Sequence, residues 1–215
     1  MSNRKLIQIP NKNEKLAEFI GIMLGDGNIF VNKDVAQVRI AGDSRIEKEY
    51  MINFIRSLII DLFKITPRTL YHKTKNEIFI AIENRSLVEF LLSIGLVNGN
   101  KINSQISIPS WIRKDKLLLK ACLRGLIDTD GSVFRMSRKD FDNPRISFKN
   151  NNRKLLDDAR NSLIELGFHP SKIIINQIFI SRLNDVKVFE ETIGFNNIKH
   201  KIRLNQIAPW CSGQA

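Results

Sequence analysis

The chain predicts an α+β fold made of two tandem αββαββα repeats related by pseudo-two-fold symmetry. Three observations carry that expectation. The segment Phe19-Ile20-Gly21-Ile22-Met23-Leu24-Gly25-Asp26-Gly27 returns 104 residues later as Leu123-Arg124-Gly125-Leu126-Ile127-Asp128-Thr129-Asp130-Gly131. Ile78-Phe79-Ile80-Ala81-Ile82 returns at an offset of 100 as Ile178-Phe179-Ile180-Ser181-Arg182. Ile94-Gly95-Leu96 returns at an offset of 99 as Ile193-Gly194-Phe195. Three matches in one order at nearly one spacing indicate a duplication, with a period far above the roughly 20–50 residues of solenoid repeats.

Each element follows from local pattern. Apolar residues at helical spacing predict an opening helix over about 13–26 and again over 116–130. Period-two alternation predicts strands at about 28–33 and 35–41, matched by 132–138 and 144–149. Helical spacing resumes from Glu47 to Phe63, and from Arg153 to Leu166 where Gly167 stops it. A strand pair over about 68–83 turns near Lys75-Asn76, and its counterpart over 172–183 turns at Asn176-Gln177. Short helices at 86–94 and 185–193 close the copies, each stopped by glycine. The first repeat is 1–100 and the second 116–215. Their linker, 101–115, falls in a stretch holding Asn98-Gly99-Asn100 and Pro109. Hairpin-length connections make the sheets antiparallel, with helices on one face.

Charge narrows the partner. Lys plus Arg number 34 against 22 acids, a net charge of +12, which favours a polyanion because basic contacts to phosphates release condensed counterions. The outward positions agree: Gln37 and Arg39 alternate with Val38 and Ile40, and Arg145 and Ser147 with Ile146 and Phe148. A strand with one apolar face and one basic, amide-bearing face suits a DNA major groove, where Arg and Gln read guanine and adenine edges. Cys122 and Cys211 lack metal-type spacing and suggest a reducing compartment. Without a long apolar run or a signal segment, the expectation is a soluble intracellular protein of cytoplasm or organelle matrix, neither secreted nor membrane-bound.

The repeated helix ends carry the chemistry. Gly21 and Gly25, like Gly125 and Thr129, lie one turn apart and let another helix backbone approach, with the other copy as partner. Asp26 and Asp130 fall where the helix dipole disfavours a carboxylate by about 0.3–1 kcal/mol. Gly27 and Gly131 fit the left-handed position that ends helices. If the helices pack in parallel, two anions emerge together and require a cation such as Mg²⁺, a hard ion that prefers oxygen.

These motifs resemble the LAGLIDADG homing endonucleases. The second matches the nine-letter signature at seven positions, differing at Arg124 and Thr129, and the first keeps Gly21, Asp26 and Gly27 but has Leu24 in place of the internal acid. Both halves are covered, as in the monomeric, pseudo-symmetric branch. The resemblance implies LAGLIDADG helices packed at the repeat interface beneath sheets that form a DNA-binding saddle. It implies a site-specific endonuclease that hydrolyses one phosphodiester in each strand of a long pseudo-palindromic duplex, leaving 3′ overhangs. The metal would be Mg²⁺, with Mn²⁺ substituting, at Asp26 and Asp130 beside Gly25 and Thr129. Lys101 and Lys201 would stand near the cleaved phosphates, with Lys199 and His200 as rivals to Lys201. Lys149 would add a polar group at the end of its strand, where the first half offers Gly42 beside Asp43. Residues expected toward DNA are Asn32, Gln37, Arg39, Arg68, Tyr71, Lys73, Arg135, Arg138, Arg145, Ser147, Lys172 and Arg182. Trp111 and Trp210 read as packing anchors.

Two alternatives use the same fold: an intron RNA maturase and a non-cleaving DNA-binding regulator. Retention of both acids favours the enzyme. An intein-embedded form is disfavoured because the chain begins at Met1 and ends Gly213-Gln214-Ala215 without a His-Asn.

Overall fold

The computed structural model describes residues 7–137 and 143–208. Helix α1 (Glu14–Gly25) starts on Asn13, whose side chain accepts the Leu16 amide, and α5 (Lys116–Asp130) starts on Asp115, which accepts the amides of Leu117 and Leu118. A side-chain acceptor at the N-cap satisfies donors that a helix leaves open. Both helices are apolar on most sides, the mark of a central position. They cross at Gly21 and Gly125: a Cβ at Gly21 would strike the Cys122 carbonyl, and one at Gly125 the Glu18 carbonyl. The halves therefore meet backbone to backbone, as the small-residue spacing predicts.

Gly27 and Gly131 are a correction. Neither has a positive φ, and both open strands: β1 (Gly27–Val31) and β5 (Gly131–Phe134). Glycine is required there by space. A Cβ at Gly27 would sit 2.5 Å from Met23 Cα, and one at Gly131 would run into the Ile127 carbonyl. The chain folds back on its own helix so sharply that only glycine passes.

In the first half β2 (Ala36–Asp43), β3 (Arg68–Tyr71) and β4 (Glu77–Glu83) complete an antiparallel sheet in the order β1-β2-β4-β3. The helix over its inner face differs from the expected uniform α-helix: Tyr50–Ile55 is π-helical before α2 (Arg56–Phe63). Helix α3 (Arg85–Ser93) closes the repeat, with Gly95 at φ +115°.

The second half has a three-stranded sheet, β5-β6-β7, with β6 (Arg145–Lys149) and β7 (Gln177–Ile180). The expected strand from 172 is reduced to a bridge, Ile174 to Gln177, and the turn falls on Ile175 and Asn176, both left-handed, one residue earlier than the spacing suggests. Pro170 has no amide to donate, and the Phe179 amide goes to the Ser171 hydroxyl instead of a backbone carbonyl. Helix α6 (Arg153–Glu165) and α7 (Leu183–Thr192) follow expectation.

Two helices were not anticipated: α4 (Ser110–Arg113) in the linker and α8 (Ile198–Ile207) after the second repeat. Ile106, Ile108 and Ile112 of the linker are buried in the same hydrophobic core as both repeats. Trp111 donates to the Ile94 carbonyl at 3.0 Å, an anchoring role. Trp210, Cys211 and Arg138 lie outside the described residues.

Candidate active site

Asp26 caps α1 and Asp130 ends α5, so the crossing delivers both carboxylates to one place. A Cβ added to Gly25 would reach the Thr129 hydroxyl and come within 3.4 Å of Asp130 Oδ2. Burial raises Asp26 to about 7, followed by repulsion from Asp130 and Glu47, while Lys101 and Lys199 draw it back. Asp130 is also raised by burial, opposed first by the Asn150 amide, which donates to Oδ2 at 2.8 Å. Charge this close at two negative helix ends is what a hard cation relieves. Among the described residues no group of three His, Cys, Asp or Glu converges as a metal cluster. Any ion held here would complete its shell with backbone oxygen, water or phosphate.

Lys101 is spent on the first helix. Its ammonium donates to the carbonyls of Met23 at 3.1 Å, Leu24 at 3.0 Å and Gly25, three acceptors that α1 leaves open. Burial lowers its pKa, and Asp130 and Asp26 oppose the fall. The second half answers with different chemistry. His200, at the offset of 99 that relates Ile94 to Ile193, sits 3.4 Å from the Asp128 carbonyl, and Asn197 donates to the same oxygen at 2.9 Å. Burial, then Lys199, pulls His200 down to about 3, so the ring is neutral and its Nε2 must carry the proton to donate. Lys199 instead pairs with Glu47 of the first half at 2.6 Å. Lys201 is exposed on α8.

The two acids open on unlike clefts. Asp130 faces one of about 280 Å³ with Lys101, Lys149, Asn150 and Asn152. Asp26 faces one with Asp43, Arg45, Glu47 and Lys75. Gly25 contributes its carbonyl to Lys101, and the Thr129 hydroxyl is turned onto its own helix, to the carbonyls of Gly125 and Leu126.

Arg124, a departure from the signature, has a partner across the interface. It donates to Glu18 at 2.6 Å and to the Ile193 carbonyl at 3.1 Å, while Asn196 donates to the other Glu18 oxygen. Asp128, fully buried, accepts the Asn196 amide and is raised to about 7 by burial.

Alternation places Asn28, Gln37, Arg39, Phe79 and Arg68 on the outer face of the first sheet. Arg39 lies 5.1 Å over the Phe79 ring, and Arg68 and Gln37 both bond Glu83. Tyr71 pairs with the fully buried Ile78, so Leu70 takes the outward position on that edge strand. Asn32 builds the β1–β2 turn by accepting the amides of Asp34 and Val35. Lys73 is in the β3–β4 turn, Arg135 and Lys172 flank β5 and β7, and Arg182 precedes α7. In the second sheet Arg145 pairs with Phe134, and Ser147, expected toward DNA, is instead buried between Ser132 and Phe179. Residues that local pattern did not reveal are Glu18, Glu47, Asn150 and Asn197. Asn197 also serves as the N-cap of α8.

Residues 118–194 match the family model of the LAGLIDADG-like domain. The homing endonuclease I-DmoI, solved in complex with DNA and Mn, shares the fold at a TM-score of 0.56 and 18% identity over 84% of this chain and 96% of that one. Full-length DUF199/WhiA from Thermatoga maritima aligns at a TM-score of 0.54 and 20% identity over 91% of this chain and 61% of that one. Among curated proteins, the replication factor C small subunit of Methanocaldococcus jannaschii is 25% identical over 205 residues, 91% of this chain. The tRNA-splicing ligase RtcB of Methanopyrus kandleri is 23% identical over 134 residues, 57% of this chain. The chain spans about a tenth of the length of these curated relatives, 10% and 13%. Among the described residues no helix is long and apolar enough to cross a membrane.

Proposed function

Starting from a chain with the LAGLIDADG fold and a LAGLIDADG-like domain over 118–194, we propose that it is a site-specific endonuclease acting on double-stranded DNA. The observation that carries this reading is the juxtaposition of Asp26 and Asp130 at the ends of two helices in backbone contact. One phosphodiester in each strand of a long pseudo-palindromic duplex is hydrolysed, leaving 3′ overhangs. Two repeats in one polypeptide supply a centre for each strand, so a monomer suffices.

The donor set fits a divalent ion, Mg²⁺ with Mn²⁺ as substitute. Asp26 and Asp130 would hold it, and bound there it would activate water and stabilise the leaving oxygen. The chain's own groups then do the remaining work. Lys101 neutralises the end of α1 and fixes Gly25. Asn150 fixes the rotamer of Asp130. Lys149, exposed at the rim of the Asp130 cleft, is placed to meet a phosphate. On the other side the Lys199–Glu47 pair steadies α8 against the first repeat.

The test begins by selecting a duplex from a random library with the Asp26→Asn/Asp130→Asn chain. The unsubstituted protein should cut both strands of that duplex with Mg²⁺ and neither with a chelator. Either single Asn variant should bind and fail to cut. Cleavage surviving in the double variant would defeat the mechanism. Binding without cleavage by the unsubstituted protein would favour the non-cleaving regulator, and preference for structured RNA over duplex would favour a maturase.

A further inference from the structure

The two sheets are out of step by one pair of residues. In the first, Gly27 pairs with Ile40, so the next residue, Ala41, heads a row across the outer face: Ala41, Phe79, Leu70. In the second, Gly131 pairs with Phe148, so the matching residue is Lys149, and its partner is Gln177. Phe179, the repeat of Phe79 in sequence, lies opposite Ser147, one row further from the helix ends. A slip of two residues keeps every side chain on its face, so nothing in the core opposes it. The row beside Asp26, headed by Ala41, is therefore apolar, with the acidic row Asp43–Glu77 beyond it, whereas the row at Lys149 is polar.

The apolar row is not isolated. Leu70 is 37% exposed, and Phe30, on the same outer face two rows away, is 48% exposed. Between them lie Asn28, Arg39 and Arg68, and Phe30 shares its own row with Gln37 and Glu83, so the apolar groups are set among hydrogen-bonding ones. An exposed apolar row beside Arg39 and Arg68 calls for an occupant that is anionic and yet carries apolar groups. The major groove of duplex DNA meets both demands through its phosphates and the C5-methyl of thymine, which apolar side chains contact.

Resting on the endonuclease reading for its occupant, we infer that the first sheet reads thymine methyl groups in the half-site segment nearest the cleavage position. The second sheet reads the matching segment by hydrogen bonds, Gln177 suiting adenine edges, with Lys149 left to the phosphate. Leu70 and Phe79 are the residues that set the first preference, and Arg39, stacked on Phe79, holds that ring in place.

The test uses the cleavage-dead Asp26→Asn/Asp130→Asn chain and duplexes selected from a random library. One half-site should be enriched in thymine near the centre, and the other should not. Replacing those thymines by deoxyuridine, which removes only the methyl, should weaken binding about fourfold per methyl, the worth of one buried CH₂. Leu70→Ser, at an exposed position, should abolish that sensitivity in the same half-site and leave the other unchanged. Deoxyuridine tolerated without loss, or costing the same in both half-sites, overturns the inference, and this arm needs no substitution in the sheet. Recovery of no duplex at all would fell the endonuclease reading and this inference together, whereas recovery without thymine bias fells the inference alone.

Discussion

Replacing Gly21 by alanine tests whether the halves depend on backbone contact. Helix propensity alone favours the change by about 1 kcal/mol. The structure opposes it, because the new Cβ would sit 3.0 Å from the Cys122 carbonyl carbon, 3.1 Å from the Leu126 nitrogen, and closer still to the Cys122 oxygen. All three are backbone atoms of α5, so no rotamer change relieves the clash. The helices must part, and a gap of about 0.5–1 Å forfeits a quarter to a half of the dispersion attraction between facing atoms. Overpacking costs about 1–3 kcal/mol in ordinary cores, and a backbone obstacle belongs at the upper end. Subtracting the propensity gain leaves a net loss of about 2 kcal/mol, or roughly 4–8 °C in Tm for a domain of this size. Thermal melting followed by circular dichroism reads it directly. Gly125→Ala, which would strike the Glu18 carbonyl from the other side, should cost a similar amount, and the double variant less than the sum, since one separation accommodates both. A Gly21→Ala protein as stable as the parent, or more so, would refute the close crossing.

Two other changes probe the polar side of the interface. His200 is held neutral with its pKa pulled down to about 3, so the unfolded chain binds the extra proton between pH 6.5 and 3 and stability is lost as pH falls through that window. By pH 5 the loss is about 2 kcal/mol, and it should vanish from the difference between parent and His200→Gln denaturation curves if His200 is not its source. Only the difference is diagnostic, because Asp26 and Asp128 are raised and change stability with the opposite sign over about the same range. Glu18→Ala would strand Arg124, and because that guanidinium keeps some solvent the cost should be about 2–3 kcal/mol, below the full penalty of a buried orphan charge. The double variant Glu18→Leu/Arg124→Met should recover most of this in urea melts; no recovery would mean the pair is incidental.

Much of this architecture was legible because duplication prints each element twice. The opening helices, the first four strands and the closing helices lie within a few residues of where periodicity placed them. Failures arose where the same letters serve two geometries. Asp-Gly reads equally as a left-handed helix stop or as a corner into a strand, and only Met23 and Ile127 standing behind the glycines decide it. The thin second sheet depends on a hydroxyl, Ser171, replacing a backbone acceptor, which no alternation reveals. In the candidate site, Asp26 and Asp130 stood out because both copies repeat them. Glu47 and Asn197 did not, since the contact that brings them into the site joins positions 150 residues apart in sequence. The neighbour of the second helix end proved to be His200 rather than Lys201, because α8 was unforeseen and fixes which residue turns inward.

Glu18 and Arg124 also govern which halves can live together. By the motif offset of 104, Glu18 corresponds to Cys122 and Arg124 to Ile20, so each charged residue has an apolar counterpart in the other copy. Two first halves joined face to face would bury a pair of carboxylates with no cation, and two second halves a pair of guanidiniums with no anion. Only the unlike combination is electrically whole. Neither half can therefore pair with a copy of itself without stranding that charge, and a transplanted half must bring the matching charge with it.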